Sequence, residues 1–385
     1  MLNHQKHLFN IPEDITFFNI ASISPSFKSV EEAGIKAVLQ KSHPYLISSS
    51  DFFEPVIVLK KLFAQLIDLD NYQRIANIPS VSYGLATVAN NLKLKSSDEI
   101  LVIDEQFPSN VYVWQKLADK YNATVKTIRS PQSKNNSVQQ WNTDILNAIN
   151  DNTAVVAMGN IHWANGTLFN LKSIRKKTKR HNALLIIDGS QSVGALPFSV
   201  KELQPDALIC AGYKWLFGPY GCGYAYYGSF FDDGIPIEEN WVNRLNSENF
   251  TGLTSYQSKY KPLASRYSVG ESGSFIYVKM QIEALKQVIE WTPEAIQDYC
   301  RNISADAILK LQSLGCDIED PKNRAHHLFG VKLPDTSNIE KLKSEFIKRK
   351  IFVSFRGKYI RISCHLYNTK EDFTQLINCI KVIIK

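Results

Sequence analysis

An α/β fold built around a mostly parallel sheet is what this sequence predicts, and three observations predict it. Apolar runs of strand length recur, helix-like stretches alternate with them, and the runs are apolar throughout rather than at every second residue. That last feature belongs to sheets covered on both faces. The runs are "EILVID", "ATVKTI", "TAVVAMGNI", "ALLIIDGS", "DALICAG" and "GCGYAYYG". Between them lie "NVYVWQKLADKYN" and "NTDILNAIND", which carry helical spacing of apolar residues. The polar stretch "SPQSKNNSVQQ" reads as a loop. After about residue 255 the texture changes to the helix-rich "IYVKMQIEALKQVIEWTPEAIQDYCRNISADAILKLQSLG", followed by strand, helix, two short strands and a terminal helix. The expected division is a large α/β domain over 26–255 and a smaller α+β domain over 256–385.

Composition bounds the function. The chain has 385 residues, 44% hydrophobic and 21% charged, with a formal net charge of +7. A mild positive excess suits an anionic small ligand. The densest basic run, "KSIRKKTKRHN", lacks the interleaved aromatics that stack on bases and reads as a solvated helix face. Six scattered cysteines, Cys210, Cys222, Cys300, Cys316, Cys364 and Cys379, show no CxxC pair or metal-ligand spacing, so no metal is expected. They read as reduced thiols of a cytoplasmic protein. "MLNHQKHLFNIPEDITFF" offers no apolar signal core, and no run approaches the roughly 20 apolar residues that span a bilayer. No GxGxxG or GxxxxGK[ST] is present, which argues against a nucleotide-binding module.

In open parallel sheets ligands bind beyond the carboxyl ends of the strands, so chemistry is sought there. "PDALICAG" is apolar enough for a buried strand, yet "YKW" follows it and puts Lys214 where that strand surfaces. A lysine there is commonly a stem on apolar surface with its head in water; the alternative is a desolvated, reactive amine. Asp188 ends the four-aliphatic run "LLIID", and a carboxylate there is costly unless it meets a cation. Ser82, Tyr83 and Gly84 are expected just before a helix, where free amides and the dipole attract an anion. Phe107 follows another strand and is either core or a ring-stacking aromatic. Asn165 lies in a turn, and Ser190 and Gln191 follow Asp188.

These parts answer one demand. A pyridinium nitrogen needs a buried carboxylate, its ring an aromatic, its phenolate oxygen amide donors, its phosphate a helix start and its aldehyde a lysine. The implied cofactor is pyridoxal 5′-phosphate, an electron sink for carbanions at an amino acid's Cα.

On "IIDGSQSVGALPFSV", "DALICAGYKWLFGPYGCGYAYY", "SVGESGSFIYVKM" and "FRGKYIRISCHLYNT", the chain resembles the class V aminotransferase family of fold-type I pyridoxal-phosphate enzymes. That family includes cysteine desulfurases, kynureninases and isopenicillin N epimerase-like proteins. The resemblance covers nearly the whole chain. It implies that Lys214 is the Schiff-base lysine, that Asp188 pairs with the pyridine nitrogen, and that Asn165 and Gln191 face the phenolate oxygen. Phe107 would cover one ring face and Ser190 the other. Ser82, the Tyr83 amide and Tyr213 would hold the phosphate. Ser272 would reach the phosphate of a neighbouring subunit, which implies a homodimer. Arg361 would fix the substrate carboxylate, with Arg356 nearby; without the resemblance, Arg361 reads as a strand arginine in a surface ion pair. Residues 1–25, through "FFNIASISP", would fold over the pocket mouth, with Asn19 and Ala21 lining it.

The resemblance implies a transaminase or lyase type of reaction on a small amino acid. Amino-acid epimerisation or desulfuration is the alternative, and a non-catalytic pyridoxal-phosphate-binding regulator the alternative of another class. Desulfurases carry a nucleophilic cysteine before the final arginine motif, whereas "IFVSFRGKYIRIS" has none. Cys364 follows Arg361 within a strand and reads as a packed thiol.

Overall fold

The computed structural model describes residues 2–131, 137–335 and 337–384. After a short strand β1 (Thr16–Phe17) come α1 (Lys28–Lys41) and α2 (Glu54–Leu66). The large layer then reads β2 (Ile75–Ile78), α3 (Val81–Asn90), β3 (Glu99–Ile103), α4 (Ser109–Tyr121), β4 (Thr124–Ile128), α5 (Ser137–Ala148), β5 (Thr153–Gly159) and α6 (Leu171–Arg180). It closes with β6 (Leu184–Asp188), α7 (Val200–Leu203), β7 (Ala207–Ala211) and β8 (Gly223–Tyr227). Beyond these lie α8 (Phe275–Trp291), α9 (Pro293–Ser313), β9 (Leu328–Val331), α10 (Ile339–Lys348), β10 (Ile351–Phe352), β11 (Ser354–Arg356), β12 (Tyr359–Ser363) and α11 (Lys370–Lys381).

Seven strands form the central sheet in the order β2-β8-β7-β6-β5-β3-β4. All pairings are parallel except those of β8, which is antiparallel to both β7 and β2. The apolar runs are buried on both faces because successive side chains serve different cores. Ile100, Val102, Ile186 and Ile209 pack under α3 and α4 with Leu85, Val88 and Trp114. Leu101, Ile103, Ile187 and Leu208 pack against α2, α5, α6 and α8 with Phe63, Trp141, Ile174 and Leu285. Edge strand β4 is only partly buried, as its "TVKTI" alternation requires.

A third core joins the C-terminal elements to the N-terminus. Phe9, Phe18, Ile20 and Phe27 pack with Ile303, Phe329, Ile362 and Phe373. β1 pairs in parallel with β10, and Asn19 bridges to Ser363. The N-terminal segment is therefore anchored on the small lobe. Helix α8 packs on α1 and α2.

Two readings of the sequence are corrected here. The small lobe has three short strands after α10, not two, because "IFVSFR" divides between two partners: β10 pairs with β1, while β11 pairs with β12. Of the expected loop "SPQSKNNSVQQ", residues 132–136 lie outside the described residues, and Ser137–Gln140 open α5, whose Val138 and Trp141 are buried. No helix among the described residues is long and apolar enough to cross a membrane.

Candidate active site

The carboxyl ends of the parallel strands converge on one region. Strand β6 ends at Asp188, and in the ladder Asp188 lies beside Gly159 of β5 and Ile209 of β7. Two residues past the end of β7 comes Tyr213, then Lys214. The Lys214 side chain is 8% exposed, and among the described residues no carboxylate oxygen lies within ion-pair distance of its amine. Nζ instead sits over two rings, 5.5 Å from the centre of Phe107 and 5.6 Å from that of Tyr213. Burial lowers its pKa from 10.5 to about 8; Asp188 opposes this, and the charges of Arg361 and Arg356 add to it. This is a desolvated amine rather than a stem with a wet head.

Around Asp188 a narrow cleft is lined by Phe107, Gln191, His162 and Trp163. Phe107 is 41% exposed, so it stands at the mouth and is not core. It meets Trp163 edge-on at 5.4 Å between centroids. Ser190 is buried behind Asp188: its N–H donates to Asp188 Oδ1 at 3.0 Å and its Oγ accepts from Ala211 N–H at 3.1 Å. Gln191 donates from Nε2 to the Ala21 carbonyl at 2.9 Å and accepts from Trp215 Nε1 at 2.9 Å. Part of its hydrogen-bonding capacity thus holds the N-terminal segment. His162 is fully buried, which lowers its pKa to about 4 and leaves the ring neutral.

Arg361 is the other unusual cation. It is 1% exposed on β12, opposite Ser354 of β11 and Gly330 of β9. Nη1 donates to the Trp163 carbonyl at 3.1 Å and Nη2 to Ser22 Oγ at 2.7 Å; Nε has no partner. Burial, with Arg356 adding, lowers its pKa to about 9. It is therefore not the arginine of a surface ion pair. Arg356 reaches the same Ser22 Oγ at 3.4 Å, and both guanidinium groups lie over Trp163, at 5.6 Å and 5.8 Å. Asn19 Oδ1 accepts from Ser22 Oγ at 2.8 Å and from Ser354 Oγ. Ala21 is buried, its N–H on Ser363 Oγ. Ser22 thus lies directly against the arginines, with Asn19 bonded to it.

Not every expected residue joins this cluster. Asn165 lies in the turn after β5, its Oδ1 on the Thr167 N–H at 3.0 Å and its carbonyl on the Gly330 N–H at 2.9 Å. Ser82, Tyr83 and Gly84 do not precede the helix: α3 starts at Val81, and Ser80 is the cap, accepting from the Tyr83 N–H at 3.2 Å. The Tyr83 amide is thus already engaged, while the exposed Ser82 lies in the first turn, where helix geometry leaves amides unpaired. The Tyr83 hydroxyl donates to Glu238 Oε1 at 2.7 Å. Ser272 is buried in a different cavity, beside Ser268 and Lys60.

Sequence reading missed Ser22, Trp163, Ser354 and Ser80. Trp163 was legible as an aromatic just past a strand, in "GNIHWANG"; the serines carry no such signal. A cavity of about 1280 Å³ lies elsewhere, near α5, α6 and the α8–α9 junction. Lys172 and Glu202 on its wall are paired with each other at 2.8 Å.

Comparison with known proteins agrees with this geometry. Residues 49–376 match the family described as Aminotransferase class-V. The chain belongs to the class-V aminotransferase family. It is accordingly a pyridoxal 5′-phosphate-dependent enzyme of transferase or lyase type. Relatives include an uncharacterized aminotransferase of Bacillus subtilis, YcbU, 26% identical over 317 residues, spanning 82% of this chain and 80% of that protein. A probable cysteine desulfurase of Staphylococcus aureus is 25% identical over 336 residues, 83% of this chain and 77% of that protein. Among solved structures, the apo cysteine desulfurase of Thermococcus onnurineus superposes with a TM-score of 0.85 at 18% identity, covering 100% of this chain and 99% of that one. The cystine C-S lyase C-DES gives 0.84 at 17% identity, covering 97% and 99%. These matches make the fold that of fold-type I pyridoxal-phosphate enzymes.

Proposed function

We propose that this class-V enzyme removes the Cα proton of a small amino acid with Lys214 as the base and transfers its amino group. The observation that carries this is Lys214 itself, a buried amine with no carboxylate within ion-pair distance, beside Asp188, Arg361 and Arg356. The residues present fit the cofactor in charge and placement. Lys214, Arg361 and Arg356 outweigh Asp188 and so favour a group rich in anionic oxygens, and the first turn of α3 offers Ser82 and unpaired amides to a phosphate. Bound there, pyridoxal phosphate supplies the electron sink for the pair left at Cα.

Each side chain then has a task. With the cofactor bound, Lys214 would be its point of covalent attachment, and the freed amine would take and return protons at Cα. Asp188 would then favour a positive charge on the ring nitrogen, Phe107 and Ser190 would pack against the ring, and Asn165 and Gln191 would supply amides to its oxygen. Tyr213, with Ser82 and Tyr83, borders the phosphate. Arg361 grips the α-carboxylate as a planar donor with its unpartnered Nε, and Ser22, Ser354 and the Trp163 carbonyl hold it in place. Arg356, Asn19 and Ala21 shape the mouth.

A desulfurase reading needs a cysteine to receive sulfur near the substrate. All six cysteines are buried, and the β11–β12 hairpin that leads into Arg361 has none. That favours transamination.

A homodimer in the cytoplasm is part of the proposal. Ile35, Val38 and Leu39 on α1, with Tyr45 and Leu46 after it, are exposed apolar side chains along one segment, and a second copy would cover them. Ser272 would have to turn out of its cavity to reach a partner's phosphate. The test is the visible spectrum of the cofactor-loaded protein during addition of single amino acids, with keto-acid product measured. Bleaching by one amino acid with a matching keto acid supports transamination. Bleaching with ammonia and no requirement for an amino acceptor refutes it in favour of elimination.

A further inference from the structure

A second cavity, of about 250 Å³, lies where α2 meets the loops around residues 242–248 and 261–272. Its lining shares no residue with the cluster at the strand ends. One side is apolar, with Phe52, Phe53, Val56 and Ile57; the other carries Lys60, Ser268 and Ser272. Lys60 is 6% exposed, and its Nζ has one hydrogen-bond partner, Ser268 Oγ at 3.3 Å. Ser268 Oγ also accepts from the Asn77 N–H at 3.2 Å, which leaves the hydroxyl's own proton free to donate. The carboxylate in the lining, Glu248, is taken by Lys261 at 2.6 Å, and that ammonium lies over the Phe53 ring. Asn243 Oδ1, on the same wall, is a buried acceptor with no donor.

A buried ammonium without a counter-ion is costly, and folded proteins ordinarily give it one. Here burial, with Lys261 adding, lowers Lys60 to about 7, and nothing of the chain's own neutralises it. The space left over is on the order of eight water volumes, enough for an acid of about ten heavy atoms. One free cation with serine hydroxyls beside it matches a single carboxylate better than a doubly charged phosphate.

We propose that this cavity binds a small monoanionic carboxylic acid with an apolar body, the carboxylate on Lys60 with Ser268 and Ser272 and the body among Phe52, Phe53 and Val56. The cavity is distinct from the cluster around Lys214, although Ser272 on its wall is also the residue proposed to reach a partner's phosphate; binding here does not depend on the assigned reaction.

The test is calorimetric titration of the cofactor-loaded protein with phenylacetate, and with 2-phenylethanol as its uncharged counterpart. The expected result is one saturable site for phenylacetate and binding at least about tenfold weaker for the alcohol, equivalent to about 1.4 kcal/mol. Lys60→Met, with its cofactor absorbance retained and its melting temperature not lowered, should weaken phenylacetate by the same factor. Val56→Trp, which fills the apolar end and keeps the charge, should do likewise and covers the case in which the Lys60 variant does not fold. The proposal is overturned if phenylacetate does not saturate, if the alcohol binds equally well, or if affinity falls with Arg361→Met and not with the variants of this cavity.

Discussion

Lys214 is held near pH 8 by burial, and the consequence can be measured as the rate at which the stripped protein takes back its cofactor. Covalent linkage requires a neutral amine. At pH 7 an amine with pKa 10.5 is neutral in about one molecule in 3,000 and one with pKa 8 in about one in eleven, a gain on the order of 300-fold. The lowered value is the one belonging to Lys214. The assay is stopped-flow absorbance after mixing cofactor-free protein with pyridoxal phosphate from pH 6 to 10. The rate should climb about tenfold per pH unit below 8 and level off above it. Arg356→Met removes a charge that lowers the amine, so the midpoint should move up; Asp188→Asn removes one that raises it, so the midpoint should move down. A rate still climbing through pH 10, or a midpoint that falls in Arg356→Met, would refute this reasoning.

Asp188→Asn should also cut kcat by at least about 10²-fold, the usual cost of losing one placed electrostatic group, while cofactor still binds; steady-state kinetics on the loaded variant checks this. Arg361→Lys keeps the charge but loses the planar donor, and should raise KM for the amino acid about 10- to 100-fold with a smaller change in kcat. Gly166→Ala should destabilise the fold by a few kcal/mol, because φ is +78° and the added Cβ would stand 2.1 Å from the Leu328 carbonyl; thermal unfolding reads it. Lys60→Met should raise stability. The folded amine titrates at about 7 against 10.5 unfolded, so the unfolded chain binds more protons between those values and stability climbs with pH across that window. The variant should lose that climb, worth a few kcal/mol below pH 7, in urea unfolding at several pH values.

Strands β3 and β5 to β8 were legible because each is a continuous apolar run bounded by polar or glycine residues, and β4 because its residues alternate. Asp188 and Lys214 were legible because a charge at the end of such a run has no bland place to go. The contacts around Arg361 were not. Ser22 reaches it across 339 residues of sequence and Trp163 across 198, and no local pattern encodes such meetings. Ser80 was passed over for Ser82 because "PSVSY" offers two hydroxyls, and only the backbone decides which precedes the first helical residue. Tertiary contacts also set how Gln191 is used: its amide ties Ala21 to Trp215, a demand invisible in "DGSQSVG". Lys60 gave no signal at all, since "VLKKLF" reads as an ordinary amphipathic helix with a wet lysine.

The central claim is that Lys214 carries the cofactor, and borohydride reduction of the loaded protein followed by peptide mapping tests it most directly. Lys60 is a fair competitor, being the other buried lysine with a lowered pKa. The account predicts a reduced pyridoxyl group on the peptide containing Lys214 and none on Lys214→Ala. A pyridoxyl group on Lys60 or any other lysine, or its persistence in Lys214→Ala, would contradict it.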